Sequence, residues 1–208
     1  MSEPNLGILI VVSGPAGSGK GTVTKLLAEE KSDTAALTTS YTTRQPREGE
    51  RHGREYFFTD RDTFRQMIAN DEILEHTEYD GNLYGTPVSE VKRLTAEGKD
   101  IILEIEVDGA MQIKKIFPDS VTVMLIPPDF ITLEKRLRGR NTETEDSVIK
   151  RLNRAKKEIP FAYDYDYIVV NRDGMESACV GKINDIISAE HHKSSRRADI
   201  IENFFKSE

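Results

Sequence analysis

The chain has 208 residues, 37% of them hydrophobic, and a formal net charge of -7 from 29 basic and 36 acidic side chains. That length and apolar fraction suffice for one sizeable core, whereas the acidic balance argues against general nucleic-acid binding driven by phosphate attraction. Cys179 is the single cysteine, so no intrachain disulfide forms; Met1 to Gly7 lacks the charged start and apolar core of a signal peptide, no apolar run approaches the roughly 20 residues that span a bilayer, and a cytoplasmic protein without membrane attachment is expected.

The first element is the apolar run Ile8–Val12, a buried strand. It leads into Gly14-Pro15-Ala16-Gly17-Ser18-Gly19-Lys20-Gly21-Thr22 and a helix over about Lys20–Lys31. Strand, glycine-rich turn and helix start, in that order, make a phosphate cradle. Backbone N–H groups and the positive end of the helix dipole meet at one point, and glycine lets the backbone approach phosphate oxygens without a Cβ in the way. Lys20 adds a mobile charge for the β- and γ-phosphates of a nucleoside triphosphate. The usual pattern has Ser or Thr directly after the lysine. Here Gly21 stands there and the hydroxyl arrives at Thr22, which is either the one side-chain contact to Mg2+, leaving phosphates and water to complete the shell, or a brace for the helix start.

Ser40 to Thr86 breaks the strand–helix alternation. It holds three short strand candidates, a helix around Arg61–Ile68 and many charged and aromatic residues, and reads as an inserted, mostly β subdomain over 40–86. Within it, Thr42-Thr43-Arg44-Gln45-Pro46-Arg47-Glu48-Gly49-Glu50 places two guanidinium forks beside a stiffening proline, with Tyr56 following. Such forks bind phosphate oxygens bidentately, so a second phosphate site is expected.

The alternation then resumes: a helix over Val88–Ala96, a strand over Ile101–Ile105, a helix over Gly109–Ile116, a strand over Val121–Ile126, helices over Ile131–Arg138 and Glu145–Lys157, a strand over Tyr167–Val170, and an amphipathic stretch from about Met175 to Phe205. Strands alternating with helices imply an α/β fold, a parallel sheet covered by helices on both faces. The expected core is 1–39, 87–137 and 148–208, and the polar stretch within 138–147 reads as a mobile lid. Glu104 and Glu106 fall at i and i+2 of a strand end, hence on one face. Two carboxylates there call for a cation or a donor-rich ligand. His52, His76, His191 and His192 lack metal-site spacing with Cys179, and His191-His192 reads as a solvated helix face; contact with a second copy stays open.

The block Thr42–Glu50, with Tyr84-Gly85-Thr86, Glu104-Ile105-Glu106-Val107-Asp108-Gly109-Ala110 and Arg136…Gly139-Arg140…Thr142-Glu143-Thr144-Glu145, resembles the guanylate kinases of the P-loop nucleoside monophosphate kinase group, from about Ile8 to Asn171. The resemblance implies a three-layer P-loop fold and transfer of the ATP γ-phosphate to GMP, and to dGMP, in purine nucleotide metabolism, with Mg2+ accompanying ATP. It implies that Arg44, Arg47, Tyr56 and Tyr84 hold the GMP phosphate, that Ser40, Glu75 and Thr86 read guanine, and that Glu104 reaches the same site. It further implies that Lys20, Arg44, Arg136, Arg140 and Arg151 are the catalytic cations, with adenine near Arg136 and Asn171. The chemistry agrees for Glu75: guanine offers N1–H and its amine as adjacent donors, an ionised carboxylate accepts both, and adenine has an acceptor at N1. The chain departs from the family at Asn141, commonly glycine, and at Asp108, often glutamine. Two rivals remain: another monophosphate kinase, since Gly-Lys-Gly-Thr is similar to adenylate kinases, and a guanylate-kinase-like binding module, in which an eroded phosphate loop is expected.

Overall fold

The computed structural model describes residues 7–139 and 144–204. Strand β1 (Leu9–Ser13) and helix α1 (Lys20–Glu30) flank the glycine-rich loop, and β2 (Ala35–Leu37) follows. Then come β3 (Ser40–Thr42), β4 (Tyr56–Phe58), α2 (Arg61–Ala69), β5 (Ile73–Tyr79), β6 (Asn82–Pro87) and α3 (Val88–Ala96). The second half runs β7 (Asp100–Glu104), α4 (Val107–Ile116), β8 (Val121–Ile126), α5 (Phe130–Arg138), α6 (Glu145–Glu158), β9 (Tyr167–Val170), α7 (Glu176–His191) and α8 (Ala198–Phe204), with short 3-10 turns at Ile159–Asp164 and Ser194–Arg196.

The main sheet has the order β2-β7-β1-β8-β9 and every pairing in it is parallel. Its inner strands bury both faces, which is why they read as unbroken Val/Ile/Leu runs and not as an alternation. One face packs Ile10, Val12 and Val123 against Leu27 of α1 and Ile183 of α7. The other packs Val11, Leu103 and Met124 against Leu94 of α3 and Ile113 of α4. From β1 the chain runs out to β2 and returns to β7 on one side, then crosses to β8 and β9 on the other, so the C-terminal end of β1 is the point where strand order reverses, the place where α/β folds bind ligands.

A second, mixed sheet has the order β4-β3-β6-β5. Strands β5 and β6 are joined by Asp80 and Gly81, both at positive φ (50° and 73°), the conformation a tight hairpin needs to match strand twist. Three expectations change here. The main sheet has five strands, β2 being the addition, and the inserted region has four strands, not three. The Met175–Phe205 stretch is also broken: α7 ends at His191 and the chain turns at Lys193 before α8 begins.

Neither histidine at that break is a plain solvated face residue. His191 Nε2 lies 2.9 Å from Asp100 Oδ2, while Asp100 Oδ1 accepts the backbone N–H of Ile8 at 2.9 Å, and His192 Nδ1 lies 2.8 Å from the Ser188 carbonyl. Asp100, buried at the N-terminal end of β7, thus ties α7 to the first strand. Among the described residues no helix is long and apolar enough to cross a membrane. Asp100→Ala is expected to cost about 1–3 kcal/mol of unfolding free energy by stranding the Ile8 N–H, and to leave the secondary structure intact. Urea denaturation beside circular dichroism checks both halves.

Candidate active site

The glycine-rich loop takes its shape from left-handed backbone and from what fills the space beside it. Gly14, Gly17 and Gly19 have φ of 147°, 88° and 92°. A Cβ on Gly14 would meet the Leu125 carbonyl oxygen at 2.1 Å, and one on Gly19 would meet the Asn171 amide nitrogen at 2.3 Å. Asn171 Nδ2 donates to the Ser18 carbonyl at 2.9 Å. Arg136 reaches back from α5, donating to the carbonyls of Ser18 (3.3 Å), Gly17 (3.4 Å) and Asn171 (2.8 Å), with Asp173 at 2.9 Å from its Nε. Those carbonyls are thereby engaged, and within the loop the Ser18 N–H donates to the Pro15 carbonyl at 3.1 Å. Pro15, Ala16, Ser18, Gly21 and Thr22 line it as well.

Lys20 folds back over the loop. Its Nζ donates to the Gly14 carbonyl at 2.6 Å and lies 3.5 Å from Glu106. Thr22 is exposed on the cleft wall, and Gly19, not a side chain, occupies the helix-cap position. Helix capping by Thr22 is therefore excluded. The engaged hydroxyl on α1 is one that the sequence reading passed over: Thr24 Oγ donates to Glu104 Oε2 at 2.8 Å. Its spacing of four from Lys20, one helical turn, was the available signal.

The acids sit at the head of the sheet. Glu104 ends β7, and Glu106 lies beyond the strand as the residue capping α4, its backbone still extended, so both carboxylates line the cleft as their spacing implied. Burial pushes the Glu104 carboxyl up, the Thr24 hydroxyl and Lys20 pull it down, and the Glu106 charge adds to the rise. Asp108, the departure from the family, points to α6 and pairs with Arg154 at 3.3 Å.

The opposite wall comes from the second sheet. Arg44 Nη2 meets both oxygens of Glu50 at 2.9 and 3.0 Å, and the Arg47 backbone N–H donates to the same carboxylate at 2.8 Å. The Arg44 guanidinium lies 5.5 Å from the Tyr56 ring centre, and Tyr56 meets Tyr84 edge-on with ring centres 6.0 Å apart. Burial, then the Glu104 charge, pushes the Tyr56 phenol well up, so it stays a neutral donor. Glu50 was also unread: a glutamate inside an arginine-rich turn carries no signal by itself.

Glu75 is 3% exposed, deeper than its place in β5 suggested. Its Oε1 accepts the Thr86 N–H at 3.0 Å and the Thr86 hydroxyl at 2.8 Å across the β5–β6 pairing. Its Oε2 stands where Gly109 of α4 has no side chain; a Cβ there would lie 2.3 Å away. Burial pushes its carboxyl up to about 7, the two Thr86 bonds oppose the shift, and the Glu106 charge adds to it.

Loop, acids and second sheet share one cleft of about 450 Å³, with Ser40, Arg44, Arg47, Tyr56, Glu75 and Tyr84 of the inserted region lining it together with Lys20 and Glu104 of the main-sheet side. Arg151 of α6 also lines it, 3.5 Å from Asp80 and 5.6 Å from the Tyr79 ring centre. Thr86 and Asn171 are not among the lining residues; each reaches the cleft by holding one that is, Glu75 and Ser18. Arg140 and Asn141, with residues 142 and 143 of the expected lid, lie outside the described residues. No group of three or more His, Cys, Asp or Glu poised to hold a metal occurs among the described residues.

Comparisons with known proteins agree with this geometry. The family model described as guanylate kinase matches residues 7–190. The guanylate kinase of a Bacillus cereus strain is 48% identical over 192 residues, covering 92% of this chain and 93% of that protein. That of Lactobacillus delbrueckii subsp. bulgaricus is 47% identical over 193 residues, covering 93% and 94%. The crystal structure of guanylate kinase from Anaplasma phagocytophilum superposes with a TM-score of 0.77 at 30% identity, covering 97% of this chain and 96% of that one. The chain belongs to the guanylate kinase family.

Proposed function

We propose that the two walls of the cleft are the donor and acceptor sites of an ATP:GMP phosphotransferase, the glycine-rich loop taking ATP and the second sheet taking GMP. The observation that carries this reading is the single cleft in which Lys20 faces a wall of Arg44, Arg47, Tyr56 and buried Glu75. The GMP phosphate is already a nucleophile, so the protein's work is alignment, charge neutralisation and exclusion of water. One oxygen of the GMP phosphate forms a bond to the γ-phosphorus as the bond to the β–γ bridging oxygen breaks, leaving ADP and GDP.

Lys20 swings from the Gly14 carbonyl to the donor phosphates. Arg44 and Arg47, with the phenols of Tyr56 and Tyr84, hold the acceptor phosphate, and Glu75 accepts the two guanine donors with Ser40 and Thr86 beside it. Arg151 meets the transferring group from α6, while Arg136 and Asn171 support the loop and border the adenine. Arg140 belongs to the same set by resemblance alone. The core-plus-insertion division with a lid at 138–147 follows from these roles. Mg2+ prefers oxygen donors and retains several waters. The exposed Thr22 hydroxyl and the nearby Glu104 and Glu106 carboxylates fit that preference, and the ion's chemistry is to neutralise phosphate charge.

Three outcomes test the reading. In a coupled assay for ADP release with GMP, AMP, UMP and CMP, turnover is fastest with GMP; faster turnover with AMP overturns the guanine assignment. Lys20→Ala keeps the fold, by circular dichroism and thermal melting, and loses roughly 10²- to 10³-fold in kcat. Glu75→Gln lowers kcat/KM for GMP by roughly 10²- to 10⁴-fold with KM for ATP nearly unchanged.

The last variant also has a pH signature. GMP needs Glu75 ionised, and the free enzyme's carboxyl titrates at about 7. The protonated form therefore competes below that pH, and KM for GMP rises as pH falls, approaching roughly tenfold per unit. Glu75→Gln removes that rise and leaves only the second ionisation of the phosphate, near pH ~6.

A further inference from the structure

Helix α6 meets the β5–β6 hairpin through two side chains on one face, Arg151 and Arg154, three residues apart and therefore neighbours on the helix surface. Arg151 is the residue read above as meeting the transferring phosphoryl group. Arg154 faces the joint behind it and makes four kinds of contact at once. Its Nε donates to Glu158 at 2.6 Å on its own helix, its Nη2 pairs with Asp108 of α4 at 3.3 Å, its Nη1 donates to the Glu78 carbonyl of β5 at 3.4 Å, and its guanidinium lies over the Tyr79 ring, 4.6 Å from the centre. One planar fork thus ties together the helix that carries Arg151, the helix that seats Glu75, and the strand that bears Glu75.

We infer that Arg154 is a positioning residue, pinning α6 to the GMP-binding hairpin so that GMP engagement sets where Arg151 stands. The inference rests on Arg151 having the role proposed for it. Its physical ground is the set of Arg154 contacts, which reach α4, β5 and α6 itself at once. Its partner Glu158 is buried, so the pairing is shielded from solvent. Arg154 therefore keeps the helix that carries Arg151 registered on the hairpin. An arginine suits the role because only a planar fork can stack on Tyr79 and donate in three directions; a lysine ammonium cannot.

The test is a nested set of variants, Arg151→Met, Arg154→Met, Arg154→Lys and the Arg151→Met/Arg154→Met double, measured for kcat and for both KM values. A displacement of about 1 Å at a reacting group costs roughly 10²-fold, so Arg154→Met is expected to lower kcat by about 10- to 100-fold with both KM values little changed. Arg154→Lys recovers only part of the loss, and the Arg154→Met effect disappears in the Arg151→Met background. If Arg151→Met alone leaves kcat intact, the role given to Arg151 fails. If Arg151→Met lowers kcat but Arg154→Met has no effect, or its full effect persists in the double variant, the positioning inference fails while the Arg151 role stands. Should Arg154→Met not fold, the pair Glu158→Gln and Asp108→Asn weakens two of its partners and is read in the same way: loss of kcat that vanishes without Arg151 supports the inference, and unchanged kcat overturns it.

Discussion

The geometry of the donor site depends on the Asn171 amide standing in the space that a side chain on Gly19 would fill. The left-handed turn at Gly19 is affordable only for a residue without Cβ, and Asn171 then holds the Ser18 carbonyl outward. Arg136 takes the same carbonyl and its predecessor from the other side. With those carbonyls committed, the path of the loop is fixed by side chains from outside it. Both partners arrive late in the chain, on the end of β9 and on α5, so the loop acquires its shape only when the whole parallel sheet is assembled.

Four cations in or behind the cleft are each held by a carboxylate. Lys20 has Glu106, Arg44 has Glu50, Arg136 has Asp173 and Arg151 has Asp80. A buried cation without a partner is costly, so these acids let the cleft exist without nucleotide. They also mean that any anion entering the cleft must exchange with a carboxylate already in place. A phosphate presents more charge and a third oxygen, which favours phosphorylated ligands over other anions of similar size.

The sequence made the donor half legible and the acceptor half only partly so. Strands β1, β7 and β8 are long apolar runs, and the glycine loop is a local signature, so both could be read from neighbours in the chain. β2 escaped because Ala35-Ala36-Leu37 is three residues of weak β-formers whose strand character comes from pairing with β7. The inserted sheet is built from two three-residue strands and one hairpin, too short for periodicity to show, and the hairpin signal Asp80-Gly81 went unread. Glu75 was found through resemblance, and nothing local distinguishes it from the exposed Glu78 of the same strand. Glu50, Thr24, Asp173 and Arg154 were missed for a shared reason: each has its meaning in a partner brought near by folding.

Glu75 shows why the two sheets must be considered together. Its backbone belongs to β5, yet one carboxylate oxygen lies against Gly109, in the first turn of a helix that follows the main sheet's β7. A side chain at Gly109 would have to displace either the acid or the helix. The missing Cβ lets the Glu75 carboxylate sit at the seam, against helix α4 on one side and oriented by Thr86 of its own sheet on the other. The position of this acid and the placement of α4 on the hairpin are then one constraint: any shift of α4 moves the carboxylate. Because Arg154 grips Asp108, the residue next to Gly109, the same seam also connects to the helix that carries Arg151.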